Sequence, residues 1–144
     1  MTDRISARIL ISDYTFAGHT GGTRTITQHL RFFAQYGWTP RLYVSRITEE
    51  RRREIDCEIV TVPTLRLGGY VKRVSHGWFA RRLARRWNPD IVWGHGNLLE
   101  QDVLSLHNCL HLTEERLTGQ PSKSSHAKMH DLQLRRPDSF RHII

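Results

Sequence analysis

The strongest constraint on the fold is a rhythm in the sequence. Short apolar runs recur at Arg8-Ile-Leu-Ile-Ser12, Pro40-Arg-Leu-Tyr-Val-Ser45, Glu58-Ile-Val-Thr-Val62, Asp90-Ile-Val-Trp93 and Asp102-Val-Leu-Ser-Leu106. Their β-branched content and bounding Pro, Gly and Asp residues read as buried strands. Helical patterns stand between them. Ile26, Leu30, Phe33 and Ala34 fall at i, i+4, i+7 and i+8, an apolar helix stripe ended by Gly37. Thr48 can cap a short exposed helix through Glu54, and Val71 to Trp87 reads as a basic helix halted by Asn88-Pro89. Leu110 to Leu117 can be helical, stopped by Gly119-Gln-Pro121. Strands that alternate with helices require a parallel sheet covered on both faces. The expected fold is therefore α/β, a Rossmann-like doubly wound parallel sheet.

The chain has 144 residues, the size of one domain. Residues 1–119 carry the rhythm; residues 120–144 read as a polar segment without a clear period, leading into Phe140-Arg-His-Ile-Ile144. That ending looks like the opening of another buried strand, so a truncated chain is expected. The formal charge of +8 points to an anionic partner. No apolar run approaches the ~20 residues that span a bilayer, and the amino terminus lacks a secretory segment. Cys57 and Cys109 fit no metal or redox spacing and read as reduced thiols. A cytoplasmic protein is expected.

Three features carry candidate chemistry. The first is Gly18-His-Thr-Gly21-Gly22, between the first strand and the first helix. In a parallel α/β fold this loop lies at the carboxyl edge of the sheet, beside a helix N-terminus that offers free N–H groups. It is neither G-x-G-x-x-G nor a Walker A loop. Ligand contact and plain turn geometry both remain open for it, and the missing fingerprint disfavours a nucleotide-dependent reductase. The second feature is a pair of histidines at strand ends, His95 and His107, pointing to the same edge, with Asn97, Glu100 and Asp102 between them. They could donate to a sugar or phosphate, or simply bond neighbouring loops. His107 and His111 are four apart but lack the glutamate of H-E-x-x-H, so no metal site is expected.

The third feature is the basic helix. At 100° per residue, Phe79, Ala80, Leu83, Ala84 and Trp87 share an arc that should pack on the sheet. Arg81, Arg82, Arg85 and Arg86 occupy the opposite arc, with Trp78 among them. A solvated face with Trp78 flattened under arginines, an anionic lipid surface, and nucleic acid all suit this pattern, nucleic acid least.

Together these pieces resemble the N-terminal half of family 4 retaining glycosyltransferases with the GT-B fold. The likeness runs over residues 7–144. It rests on Gly21-Gly22-Thr-Arg24 with His29-Leu-Arg-Phe-Phe-Ala-Gln-Tyr-Gly37, on Pro89-Asp-Ile-Val-Trp-Gly-His-Gly96, and on Leu104-Ser-Leu-His-Asn108. The run from Leu106 to Glu115 is similar to members acting on bacterial surface glycans such as the lipopolysaccharide core. Arg24 stands where many members carry Glu, and Trp38 where many carry His.

The resemblance implies transfer of a sugar from a nucleotide-sugar donor to a glycan or lipid-linked acceptor, with no further cofactor. His107 would hydrogen-bond the donor sugar in the transition state, and Asp102 is the second catalytic candidate, on the acceptor side. Gly21, Gly22, His95, Asn97 and Asn108 would line the substrate site. Trp78, Arg81, Arg82, Arg85 and Arg86 would dock on the inner leaflet. A second, C-terminal Rossmann-like domain would hold the nucleotide, so the chain alone is expected to be inactive. The competing class is a non-catalytic module that binds nucleic acid or phosphorylated ligands through its basic surface.

Overall fold

The computed structural model describes residues 6–106, 115–136 and 138–144. Its centre is β1 (Arg8–Ser12), whose Ile9, Leu10 and Ile11 are all buried. β1 pairs with β3 (Thr39–Val44) on one side and with β6 (Ile91–Gly94) on the other. Beyond β3 lies β5 (Glu58–Thr61); beyond β6 lie β7 (Val103–Leu104) and β8 (His142–Ile143). The sheet order is β5-β3-β1-β6-β7-β8, and every pairing is parallel. β2 (Thr15–Phe16) and β4 (Arg46–Ile47) form a small parallel ladder of their own.

Period-two alternation sorts the strand side chains onto two faces. Ile9, Ile11, Leu42, Val44, Ile91 and Trp93 pack on one face with Ile26, Leu30 and Phe33 of α1 (Gly21–Gln35). Ile55, just past α2 (Glu49–Glu54), joins the same cluster. Leu10, Tyr43, Val60 and Val92 pack on the other face with Phe79, Ala80, Leu83, Ala84 and Trp87 of α3 (Gly69–Trp87). Each such buried aliphatic side chain contributes roughly 1.5–3 kcal/mol relative to exposure. The fold is thus the expected Rossmann-like, doubly wound sheet.

Several local expectations change. α2 is not simply exposed: Arg51 is buried and bonds Glu54 at 2.5 Å, its other guanidinium nitrogen meeting His19. Thr48 does cap it, accepting from the Arg51 N–H. The strand expected over 102–106 is only Val103–Leu104. Residues 120–144 are not an irregular appendage. They contain α4 (Ser125–Leu134), capped by Ser124 and packed against α3. The Gln133 amide donates to the Leu98 carbonyl at 2.6 Å. β8 does form, but at the sheet edge with both residues exposed rather than buried. Residues 115–118 are helical, while the rest of the Leu110–Leu117 helix, Cys109 and His111 lie outside the described residues. Cys57 is a free thiol, pushed up to about 11 by burial. No helix of the described residues is long and apolar enough to cross a membrane.

One polar contact ties these layers together. His76 of α3 is fully buried. Its Nδ1 lies 2.7 Å from Ser45 Oγ, and its Nε2 lies 3.0 Å from Ser12 Oγ. The Ser45 hydroxyl donates its one proton to the Val62 carbonyl at 2.9 Å. Ser45 can therefore only accept from Nδ1–H, which leaves Nε2 to accept from Ser12. The imidazole is neutral, and burial depresses its pKa to about 4. The unfolded chain takes up the proton first as pH falls, so this group's stabilisation is complete above pH ~6.5 and is lost toward pH 4, roughly 3 kcal/mol in all. His76→Gln is expected to lower stability by about 1–3 kcal/mol at pH 8. Denaturant titrations from pH 8 to 4 should also show that it flattens the acid limb of the stability profile; an unchanged limb would refute this role.

Candidate functional site

The chain runs outward from β1 through β3 to β5, then returns to the other side of β1 as β6. This reversal opens a crevice beyond the carboxyl ends of β1 and β6, the usual ligand position in open α/β sheets. A cleft of about 630 Å³ occupies it, lined by Asp13, Tyr14, Gly21, Gly22, Arg73, His95, Asn97, Ser105, His126 and His130 among others.

The floor follows directly from strand pairing. Asp13 and Tyr14 leave the end of β1, and His95 leaves the end of β6. The His95 N–H donates to the Ser12 carbonyl at 3.0 Å, so the two exits stay side by side. The His95 ring is buried and lies nearly parallel to Trp93, whose indole N–H donates to Ser105 Oγ at 2.7 Å. Gly94 and Gly96 make this turn feasible. A Cβ on Gly94 would collide with Gln101; Gly96 has φ +80° and a Cβ there would stand 2.9 Å from His130 Nε2. A Cβ on Gly77 of α3 would meet the backbone carbonyl of Asn97 at 3.1 Å, so close approach of that helix holds the 97–99 loop in place.

One wall is the first turn of α1. Thr20 and Thr23 form a reciprocal capping box there, which frames the turn. The glycines behave differently from those at Gly94 and Gly96. Neither Gly21 nor Gly22 has positive φ, and an added Cβ would meet nothing within 4 Å at Gly21 and only ordinary contact, 3.8 Å from Thr20 Oγ1, at Gly22. Turn geometry, the alternative reading of the pair, does not require them. The positive φ of this loop belongs to Gly18.

The opposite wall carries the charges. Arg73 of α3 donates from Nη1 to Asn97 Oδ1 at 2.8 Å and from Nε to Ser125 Oγ at 3.2 Å. Its guanidinium also lies over the Tyr14 ring at 4.9 Å. Burial lowers its pKa from the ordinary arginine value. The Asp13 carboxylate accepts the Tyr14 N–H at 2.7 Å and meets the Asn97 amide at 3.4 Å. Burial raises its pKa to about 6, against the opposing pull of that N–H and of Arg73. The site thus holds a proton-exchanging carboxyl and a fixed cation, separated by an amide.

Of the residues singled out from sequence, Gly21, Gly22, His95 and Asn97 come together in this cleft. Asp102 does not join them. The connection from β6 to β7 runs back to the start of β7, so Asp102 stands at the amino edge of the sheet, where it accepts the Val92 N–H at 2.8 Å and pairs with Arg141 at 3.3 Å. It lines a separate cavity of about 340 Å³. His107 and Asn108 lie outside the described residues. On α3, Trp78, Arg82, Arg85 and Arg86 are exposed, and Arg82 lies over the Trp78 ring at 5.8 Å. Arg81 is turned aside into an ion pair with Glu100 at 2.7 Å. Among the described residues no group of three or more His, Cys, Asp or Glu could hold a metal ion.

Asp13, Arg73, His126 and His130 were not read from sequence. Asp13 had a signal, as the first residue past the first strand. Arg73 was hidden among the arginines of its helix, and the two histidines sit in the polar segment that shows no clear period.

No family model matches the chain, and no curated protein matches it in sequence. Solved structures do. One is the crystal structure of WaaG, a glycosyltransferase involved in lipopolysaccharide biosynthesis, with TM-score 0.74 and 14% identity over 93% of this chain. This chain spans 37% of the length of that one. The likeness establishes a shared Rossmann-like fold.

The Asp13 shift carries a stability signature of its own. Between pH ~4 and 6 the folded state holds a proton that the unfolded chain has released, so this group's contribution falls as pH rises. Asp13→Asn is expected to be more stable than wild type at pH 8 by about 1–3 kcal/mol, with the gap closing by pH 4. Parallel urea titrations at the two pH values decide it; a gap independent of pH would show that Asp13 ionises normally.

Proposed function

We propose that the chain is the acceptor-side half of a nucleotide-sugar-dependent glycosyltransferase of the retaining family 4 type, acting on a glycan or lipid-linked acceptor. The observation that carries this reading is the Gly21-Gly22 pair. It opens a helix N-terminus onto the cleft, at positions where neither backbone conformation nor packing asks for glycine. Close approach of a ligand to the bare backbone is the remaining reason for such a pair. The fold shared with WaaG supports the same direction.

In this reading the donor diphosphate or the acceptor lies against the first turn of α1, and His95 lines the acceptor side. His107 stabilises the oxocarbenium-like transition state. Asp102 is not among the groups that touch substrate. A second Rossmann-like domain closes over the cleft and supplies most contacts to the nucleotide. Calorimetric titration of the chain with a panel of nucleotide sugars is the direct test. Weak binding is expected, with no turnover by the 144-residue polypeptide alone. Gly21→Ala/Gly22→Ala should weaken binding about tenfold while leaving α1 as stable or up to ~1 kcal/mol more so, because alanine favours the helix. Undiminished binding by that variant, or turnover by the isolated chain, would refute the proposal.

The exposed face of α3 gives the second part of the reading. Trp78, Arg82, Arg85 and Arg86 rest on the anionic inner leaflet, the indole at the headgroup level and the guanidinium groups on lipid phosphates. Arg81 is excluded by its Glu100 pair. Co-sedimentation with vesicles containing phosphatidylglycerol should fall strongly in Arg82→Gln/Arg85→Gln/Arg86→Gln and in Trp78→Ser, and less in Arg81→Gln. Equal binding by all of these variants would remove the leaflet assignment, and a preference for duplex DNA over vesicles would favour the nucleic-acid module.

A further inference from the structure

Two ionisable groups that line the cleft, Asp13 and Arg73, do not form an ion pair, although both are desolvated. The Asn97 side chain stands between them. Its oxygen accepts from Arg73 Nη1 at 2.8 Å, and its amide nitrogen faces Asp13 Oδ1 at 3.4 Å. The groups that hold the Arg73 guanidinium are neutral: the Asn97 amide, the Ser125 hydroxyl and the Tyr14 ring. A guanidinium has five N–H donors, and two of the five are used in these bonds. Among the described residues, no carboxylate lies within ion-pair distance of it.

Such an arrangement has a defined chemical complement. A half-buried cation held rigid by neutral groups keeps its Coulombic attraction for whatever enters the cleft. The planar fork suits the two oxygens of a phosphate or carboxylate. On the other side of Asn97, the Asp13 carboxylate keeps free lone pairs that suit hydroxyl donors. The site is therefore bipolar, with an oxyanion position at Arg73 and a hydroxyl position at Asp13. Direct pairing of the two side chains would have cancelled both.

We propose that the cleft selects an acidic sugar unit, one that carries a phosphate or carboxylate substituent, and that Arg73 is the specificity-determining residue which binds that substituent. This deepens the glycosyltransferase reading and rests on it for the role of acceptor. Asn97 is a positioning residue, since it holds Arg73 and Asp13 apart and presents each to the ligand. Ser125 extends the same support from α4, so the segment after residue 120 has a place in recognition.

The test compares three probes by calorimetry on the 144-residue chain: glucose, glucose 6-phosphate and glucuronate. Both acidic probes are expected to bind about tenfold or more tightly than glucose, and the stronger of the two identifies phosphate or carboxylate as the natural group. Arg73→Gln should reduce the acidic probes to the affinity of glucose, while Arg73→Lys should keep part of the preference. Equal affinity for all three, no binding of any, or an acidic preference that survives in Arg73→Gln would overturn the inference. The wild-type comparison alone decides the first two outcomes, so it holds even where a variant fails to fold. An acidic preference without any nucleotide-sugar binding would keep the Arg73 site and remove the glycosyltransferase reading. Nucleotide-sugar binding without an acidic preference would do the reverse.

Discussion

The neutral imidazole of His76 is the contact on which the rest of the architecture leans. It accepts from Ser12 at the end of β1 and donates to Ser45 just past β3, and Ser45 passes a hydrogen bond on to Val62 just past β5. Three strand exits are thereby fixed to one helix without any charge. Hydrophobic packing alone would hold α3 on the sheet but would leave its axial position soft, because apolar contact is non-directional. The hydrogen-bonded chain sets the register of α3, and that register decides where Arg73, one turn earlier, meets the cleft. Tyr14 links the two levels: it stands edge-on to His76 at 5.7 Å and under the Arg73 guanidinium at 4.9 Å.

The cleft is accordingly a product of backbone geometry first and of side chains second. Reversal of strand order at β1 and β6 creates the space. Close approach of α3 to the 97–99 loop narrows it, and α4 completes the rim with His126 and His130. Burial then tunes the groups inside. Asp13 and His76 are both pushed toward their neutral forms, and their contributions to stability change with pH in opposite directions over much of the same interval.

Much of this was legible in the sequence, for identifiable reasons. β1, β3, β5 and β6 carry short apolar runs whose side chains pack on both faces of the sheet, which is the pattern a parallel sheet imposes. The stripe of α1 and the sheet-facing arc of α3 followed from 3.6-residue periodicity. β2, β4 and β8 are two-residue strands, too short for any period to register. α4 escaped because half of its buried residues, His130 and Gln133, are polar, and the Gln133 amide bonds the distant Leu98 carbonyl, so no apolar stripe announced it. The placement of Asp102 failed on a subtler point. Lying between two strand-end histidines in sequence says nothing about which end of the next strand a residue occupies. Arg73 was obscured for a related reason, since only the three-dimensional neighbours Asn97 and Ser125 distinguish it from the solvated arginines of the same helix.

The glycines around His95 bear on how families of such chains should be compared. A side chain at Gly94 would displace the end of Gln101, and one at Gly96 would sit at φ +80° and displace His130. Selection for folding alone would favour glycine at both positions. Constancy there would report packing. Gly21 and Gly22 are under no such internal restraint. Evolutionary constancy at that pair, in chains otherwise diverged, would record the presence of a ligand and would be the more informative signal of shared activity.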